Sequence, residues 1–401
     1  MPEPEIGRVA HGSKDASQRA DLDFTLVRIE GFAFRVPVEI PVETSFGKMR
    51  DRPAVFLRVE DGNGNFGWGE VFANWPASGA EHRVNLLMDD VADLVLRKRW
   101  STPAEMFHEL EEATLIRALQ CGEPGPFAQV IAGLDIAVWD LVSRRAGLPL
   151  AKLLSSAPAT RVETYASGIK IDAADVLVPR ARAAGFTRYK VKVGFHERDV
   201  DKLEDAFRRL NPGELLCADA NQVWSLPMAA DFLNRIRKAG VALGWMEEPL
   251  PVFAPAQEWA TLAELGTPLA GGENIAGFAA FDRAIRESGF SVVQPDVSKW
   301  GGVTGCLDVA KRTRAAGKTY CPHFLGGGIG LAASAHVLAA AGGDGVLEVD
   351  VNPNPLRSAF QFGEPPHGAG HWVIGTEPGL GCTELPASLL PYLSHRRERA
   401  A

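Results

Sequence analysis

The chain has 401 residues, 46% hydrophobic and 23% charged, and its 42 basic and 50 acidic side chains give a net charge of −8. That composition is ordinary for a soluble globular protein, and the length exceeds one average domain, so a large domain plus a smaller one is expected. The acidic balance argues against a general nucleic-acid surface, which needs a basic excess, but leaves room for an anionic small substrate held by a local metal or lysine cluster.

Residues 1–22 are polar, with no apolar segment of the secretory kind, and read as a flexible tail. From Asp23 to Glu70, "FTLVRIEGFAFRVPV" and "PAVFLRVEDGNGNFGWGEVF" read as strands, and Asp61-Gly62-Asn63-Gly64-Asn65 between them is a hairpin turn signal. From Ser78 to Leu154 the pattern turns helical: Val130, Leu134, Ile136, Val138 and Leu141 fall near helical spacing, and Gly147 and Pro149 stop the run. Residues 23–155 therefore read as an α+β domain.

From Arg161 short apolar runs alternate with helical stretches at about 25 residues per unit, from "VETYASGI" and "RYKVKVG" through "TYCPHF" to "GVLEVDVN". Helices follow the first seven strands and not the last. That predicts a (β/α)7β TIM-type barrel over 156–355. The Gly- and Pro-rich segment 356–401 is expected to pack back on the first domain. The five cysteines, Cys121, Cys217, Cys306, Cys321 and Cys382, include no CxxC pair. Their odd count fits a reducing cytoplasm better than a disulfide framework. No apolar run reaches the length of a membrane span, so no membrane partner is expected.

In such a barrel the active site lies at the C-terminal strand ends. Asp219, Glu247 and Glu273 end strands three, four and five, 28 and 26 residues apart. Neighbouring strand ends lie about 5 Å apart, so three carboxylates can converge on one hard cation, with Mg²⁺ suited better than Zn²⁺. One such acid alone is explained as well by a helix cap; three in register beside two lysines favour the metal. Lys190 and Lys192 alternate with Val191 and Val193, which places both lysines on the barrel interior. A lysine beside a dication and a second lysine is expected to have a lowered pKa and to serve as a base. Asp296 and His323 end strands six and seven; they read as an Asp–His pair, or singly as a satisfied structural histidine. Strand eight offers Glu348 and Asp350.

At these residues the sequence resembles the mandelate racemase/muconate lactonizing branch of the enolase superfamily, from about Thr25 to Leu380. The likeness is carried by "GWGEVF", "LDIAVWDLVSRRAGLPLAKLL", "YKVKVG", "DAN", "EEP", "GEN", "PDVSKWGGVTG" and "EPGLG" taken together. It implies that the α+β domain caps the barrel. It implies Asp219, Glu247 and Glu273 as Mg²⁺ ligands, with Glu247 rather than Glu248 from the "EEP". It implies Lys192 as the base that removes the α-proton, and Lys190 and Glu348 as groups on the substrate carboxylate. Asp296 stands where muconate-type enzymes carry a second catalytic lysine, so with His323 it looks like the Asp–His pair of the mandelate racemase type. Asn221 and Lys299 are further substrate-binding candidates.

The reaction implied is proton abstraction next to a carboxylate of a small-molecule substrate. By family analogy it is followed by dehydration of an acid sugar (aldonate or aldarate) to a 2-keto-3-deoxy acid. Racemisation or epimerisation of a 2-hydroxy or amino acid is the alternative, and a non-catalytic carboxylate-binding barrel the remote one. The resemblance also implies a homo-oligomer. Cap loops at Pro41 to Arg52 and Phe72 to Ala80 are expected to set specificity, with Phe46, Lys48, Arg50 and Arg52 as contacts and Trp75 near the pocket. "GGGIG" at Gly326 to Gly330 reads as a sharp turn after strand seven rather than a phosphate loop, His196 as a surface residue, and Trp224 and Trp300 as packing residues.

Overall fold

The computed structural model describes residues 21–44, 47–360, 362 and 370–401. All but the end of the expected tail, and Phe46, lie outside them. The first layer is an antiparallel sheet of β1 (Phe24–Thr44), β2 (Gly47–Asp61) and β3 (Phe66–Val71), joined by β4 (Arg99–Trp100) on β1. The β2–β3 hairpin turns at the expected Asp61–Asn65, where Asp61 accepts backbone N–H groups from Asn63 and Asn65, both at 2.9 Å.

Helix Pro124–Arg145 lies directly on β3. Gly67 and Gly69 permit this: a Cβ on either would stand 2.0 or 2.1 Å from the carbonyl oxygens of Ala137 and Gly133. By length and hydropathy this helix alone among the described residues could cross a membrane, a longer apolar stretch than the sequence reading allowed. It is mostly buried inside the protein and carries Asp135 and Asp140 at full burial. It packs on the other side against helix Gly302–Ala315.

The second body is the barrel. Eight parallel strands follow: β5 (Arg161–Lys170), β6 (Arg188–Lys192), β7 (Leu215–Asp219), β8 (Met246–Glu247), β9 (Leu269–Gly271), β10 (Val292–Val293), β11 (Thr319–Tyr320) and β12 (Val346–Asp350). Their order runs β11-β10-β9-β8-β7-β6-β5-β12, nearly closed, and Val346 N–H donates to Cys321 Sγ (3.4 Å) across the gap. Helices Ala174–Ala183, Asp199–Arg208, Leu226–Lys238, Ala256–Ala263, Phe278–Glu287, Gly302–Ala315 and Gly328–Ala341 follow the first seven strands. The third turns an apolar stripe of Ala229, Phe232, Leu233 and Ile236 to the strands, whereas the last is buried on nearly every side. After β12, β13 (His371–Val373) pairs with β5, and β14 (Leu393–Ala400) pairs with β1, adding a strand to the first sheet. All five cysteines are free.

Candidate active site

Strand register sets the floor of the site. Lys192 pairs with Asp219, and Asp219 with Glu247, so one row of charged residues crosses the ends of β6, β7 and β8. Glu273 stands two residues past the end of β9. Period-two alternation puts Val191 and Val193 into the apolar core and Lys190 and Lys192 inward.

Lys190 is 1% exposed and is the hub of the floor. Its Nζ donates to Glu247 Oε1 at 2.5 Å, lies 2.8 Å from Glu348 Oε1 and 3.8 Å from Asp219 Oδ2. Burial alone would lower its pKa, but Glu247 and Glu348 outweigh burial and hold it well above the usual lysine value. Glu247 is pushed up to about 7 by burial; its other oxygen accepts from Trp245 Nε1 (3.1 Å) and Gln294 Nε2 (2.8 Å). Lys192 donates to Asp219 Oδ2 at 2.5 Å. Burial lowers the Lys192 pKa, but Asp219 beside it wins and the value is raised; the lowering expected from sequence concerned this lysine beside a dication.

Asp296 and His323 meet as an isolated bridge between the chain ends of β10 and β11, with His323 Nδ1 2.8 Å from Asp296 Oδ2. The other oxygen of Asp296 accepts from Ser298 N (2.8 Å), Ser298 Oγ (2.7 Å) and Lys299 N (3.2 Å). His323 Nε2 pairs with Glu273. Burial opposes the charged imidazole, but Glu273 and Glu348 overcome it and hold its pKa well above the usual value. Glu348 also accepts from Ser167 Oγ and from Phe324 N (3.2 Å). Asp350, two residues on, instead pairs with Arg52 (2.9 Å).

Lys299 donates to Asn274 Oδ1 (2.9 Å) and lies 3.6 Å from Glu273. Asn221 N–H donates to Asp219 (2.8 Å). A cavity of 760 Å³ opens above this floor, lined by Lys192, Asn221, Glu273, Lys299, His323 and Glu348 from the barrel. Met49, Arg52, Phe72 and Trp75 line it from the first layer. Lys48 and Arg50 are exposed and are not among the residues that line it, so those two expected contacts are not found there. His196 is exposed, and Trp224 and Trp300 are buried.

Among the described residues no three metal-ligating side chains converge on one point. The three candidate ligands are each turned to a cation: Asp219 to Lys192, Glu247 to Lys190, Glu273 to His323. Their chemistry still fits a hard dication, since buried carboxylates on adjacent strand ends demand positive charge and supply only oxygen.

Residues 28–155 match the N-terminal domain of mandelate racemase/muconate lactonizing enzymes, and residues 173–386 match the enolase C-terminal domain-like family. The chain belongs to the mandelate racemase/muconate lactonizing enzyme family. It is similar to an arabinonate dehydratase of Saccharolobus solfataricus, 27% identical over 337 residues that cover 82% of this chain and 87% of that one. A D-galactarolactone cycloisomerase of Agrobacterium fabrum is 27% identical over 86% of this chain and 92% of its own. A mandelate racemase/muconate lactonizing enzyme of Bordetella bronchiseptica RB50 superposes with a TM-score of 0.86 at 46% identity, over 92% of this chain and 99% of that one. An L-talarate dehydratase of Polaromonas sp. JS666, solved with Mg and L-glucarate, shares the fold at 23% identity (TM-score 0.80; 94% and 100% covered).

In this enolase-superfamily enzyme the floor holds further residues to which the sequence assigned no role. The Glu248 carboxylate is buried and accepts from Asn274 Nδ2, at 3.1 and 2.8 Å. Burial first, then Glu273, pushes its pKa well up. Its φ of 37°, with 45° at Asn221 and 66° at Gln222, marks three non-glycine residues in left-handed backbone just past β7 and β8. Such conformations cluster at functional sites. Gln294, Trp245 and Ser167 carried no motif; only their places near strand ends could have flagged them.

Proposed function

We propose that this enzyme removes the proton next to the carboxylate of an acid sugar and expels the β-hydroxyl as water, giving a 2-keto-3-deoxy acid. The observation that carries the reading is that Lys192 and the Asp296-backed His323 line one cavity from strands separated by β5 and β12. A base and an acid can then act on different sides of one bound carbon chain. The relatives named dehydratases support the acid-sugar class.

Asp219, Glu247 and Glu273 are the residues that would hold Mg²⁺, with Lys192 and His323 giving up the carboxylates they now contact. Bound there, the ion supplies Lewis-acid stabilisation of the substrate carboxylate as it gains charge, and offsets the pull of Asp219 on Lys192. Lys190, fixed between Glu247 and Glu348, holds positive charge beside the substrate carboxylate. Lys192, as the free amine, accepts the proton from Cα, and its electron pair moves into the enediolate. His323, as the imidazolium paired with Asp296, gives its proton to the β-oxygen as the Cβ–O bond breaks; water leaves and the enol tautomerises to the keto acid.

The test is a panel of aldonic and aldaric acids with Mg²⁺ in D₂O, followed by NMR. Keto acid from at least one acid, lost in Lys192→Ala, is the expected result. Exchange of the α-proton with inversion and no keto acid would replace the dehydratase by a racemase or epimerase; neither product nor exchange with any acid would overturn the reading.

A further inference from the structure

Away from the catalytic floor, two arginines and one carboxylate meet at the cavity wall. Arg52, on β2, is 4% exposed and lines the cavity together with Asp350 at the end of β12. Its Nη2 donates to Asp350 Oδ2 at 2.9 Å. That same oxygen lies 3.4 Å from Nη1 of Arg357, whose side chain is 11% exposed. The second oxygen of Asp350 is taken by the backbone and side chain of Asn352, at 3.0 and 2.7 Å. So, among the described residues, one buried and one mostly buried guanidinium group share one fully engaged carboxylate.

An arginine cannot relieve this by losing its proton. Burial, and Arg52 beside it, pull Arg357 below its usual pKa against the opposing effect of Asp350, so the surplus is felt within the trio. The Nε of Arg52 is itself buried and has no hydrogen-bond partner among the described residues. A buried donor without an acceptor, on a cation without a full counter-charge, is costly unless a ligand completes it.

Position decides what that ligand is. Glu348 and Asp350 lie two residues apart on one face of β12, about 7 Å along the strand. Glu348 contacts Lys190 on the catalytic floor. Arg52 therefore stands above the reacting end by a distance comparable to the length of a hexose-derived chain.

We propose that Arg52 binds a second carboxylate at the far end of the substrate, so that the site takes dicarboxylic sugar acids (aldarates) in preference to the monocarboxylic aldonates. This rests on the acid-sugar reading above. An Asp350–Arg52 pair that served only to fasten the first layer to the barrel would leave two arginines on one carboxylate among the described residues. A substrate carboxylate in the cavity beside Arg52 supplies the second counter-charge, since arginine and carboxylate match in geometry as well as charge.

The test uses the full chain with Mg²⁺ and three pairs of probes: glucarate and gluconate, galactarate and galactonate, mannarate and mannonate. Members of a pair differ only in a terminal carboxylate or hydroxymethyl group. Calorimetric titration should show the diacid of at least one pair bound about tenfold or more tighter than its monoacid. Arg52→Gln should reduce that ratio to about one, and Arg52→Lys, which keeps a cation beside Asp350, should retain part of it. Equal affinities in the wild type, or a ratio that survives Arg52→Gln, overturns the proposal. Keto acid formed from monoacids alone would do so too while leaving the dehydratase standing. Failure of every probe to bind or react removes the acid-sugar reading and this inference with it.

Discussion

Glu70 of β3 accepts the backbone N–H of Gly330 at 2.8 Å, although 260 residues separate them. Its other oxygen accepts from Gly327. Glu70 thus seats the first layer on the N-terminus of helix Gly328–Ala341, the helix that follows His323. Asp135 does the same for helix Gly302–Ala315, which follows Asp296, accepting from Thr304 N (2.9 Å) and Thr304 Oγ1 (2.6 Å). Burial pushes both carboxyls up to about 7, against the backbone N–H groups that favour ionisation.

A folded pKa above the unfolded one means that Glu70 binds its proton more tightly in the folded state. Its contribution to stability is then complete below about pH 4.5 and is lost as pH rises through about 7. The shift corresponds to at most about 3 kcal/mol. Urea midpoints at pH 5 and pH 8 should therefore fall in the wild type and fall less in Glu70→Gln. An equal fall in both proteins would mean that the helix N-terminus keeps Glu70 ionised throughout.

The two lysines of β6 should separate stability from chemistry. Lys190 sits between Glu247 and Glu348, and Lys190→Ala leaves buried carboxylates uncompensated, at a cost of about 3–5 kcal/mol. The Lys192 side chain is 21% exposed and faces the cavity, and Asp219 retains the Asn221 N–H when it is gone. Lys192→Ala should lose only about 1–2 kcal/mol yet abolish α-proton exchange. Thermal midpoints and exchange rates of the two variants check this. A stable Lys190→Ala, or exchange surviving in Lys192→Ala, would reverse the roles given to them.

Metal removal supplies the next test. EDTA should stop keto acid formation and Mg²⁺ restore it. Mg²⁺ at a hundred times its dissociation constant should stabilise the wild type by about 2.7 kcal/mol. Glu247→Gln should lose most of that stabilisation, because an amide oxygen carries no charge to the ion. An undiminished shift in this variant would place the ion elsewhere.

What the sequence could reveal followed from two periodicities. The barrel unit length locates strand ends, which exposed Asp219, Glu247, Glu273, Asp296 and His323; the strand alternation located Lys190 and Lys192 on the inner face. Residues whose partners are remote in sequence carried no such signal. Arg52 and Asp350 are 298 positions apart, and nothing local marks their pairing. In "EEP" both acids are buried, and only the turn at Glu248 (φ 37°) sends one to Asn274 and leaves the other with Lys190. Strand β14, "LSHRRERA", carries no apolar run to mark it as a strand, because it lies at a sheet edge with most side chains in solvent.

The Asp296–His323 pair allows proton removal to be separated from water loss. Asp296 Oδ1 is committed to three donors from Ser298 and Lys299, while Oδ2 faces His323 Nδ1. In Asp296→Asn the amide oxygen must stay with those donors, which turns the NH₂ toward the ring. His323 Nδ1 then has to accept, the imidazole becomes neutral with its proton on Nε2, and the imidazolium loses its counter-charge. A neutral imidazole is a far weaker acid for a leaving hydroxyl. Keto acid formation should fall by about 10²–10⁴-fold. Exchange of the α-proton, which needs Lys192 and not His323, should fall by less than about tenfold. Rapid-quench product analysis beside NMR exchange in D₂O reads the two rates on the same sample. If both rates fall together, His323 does not serve the leaving group and the pair only holds β10 and β11 in place; if exchange persists while elimination stops, the proton for the departing water comes from His323.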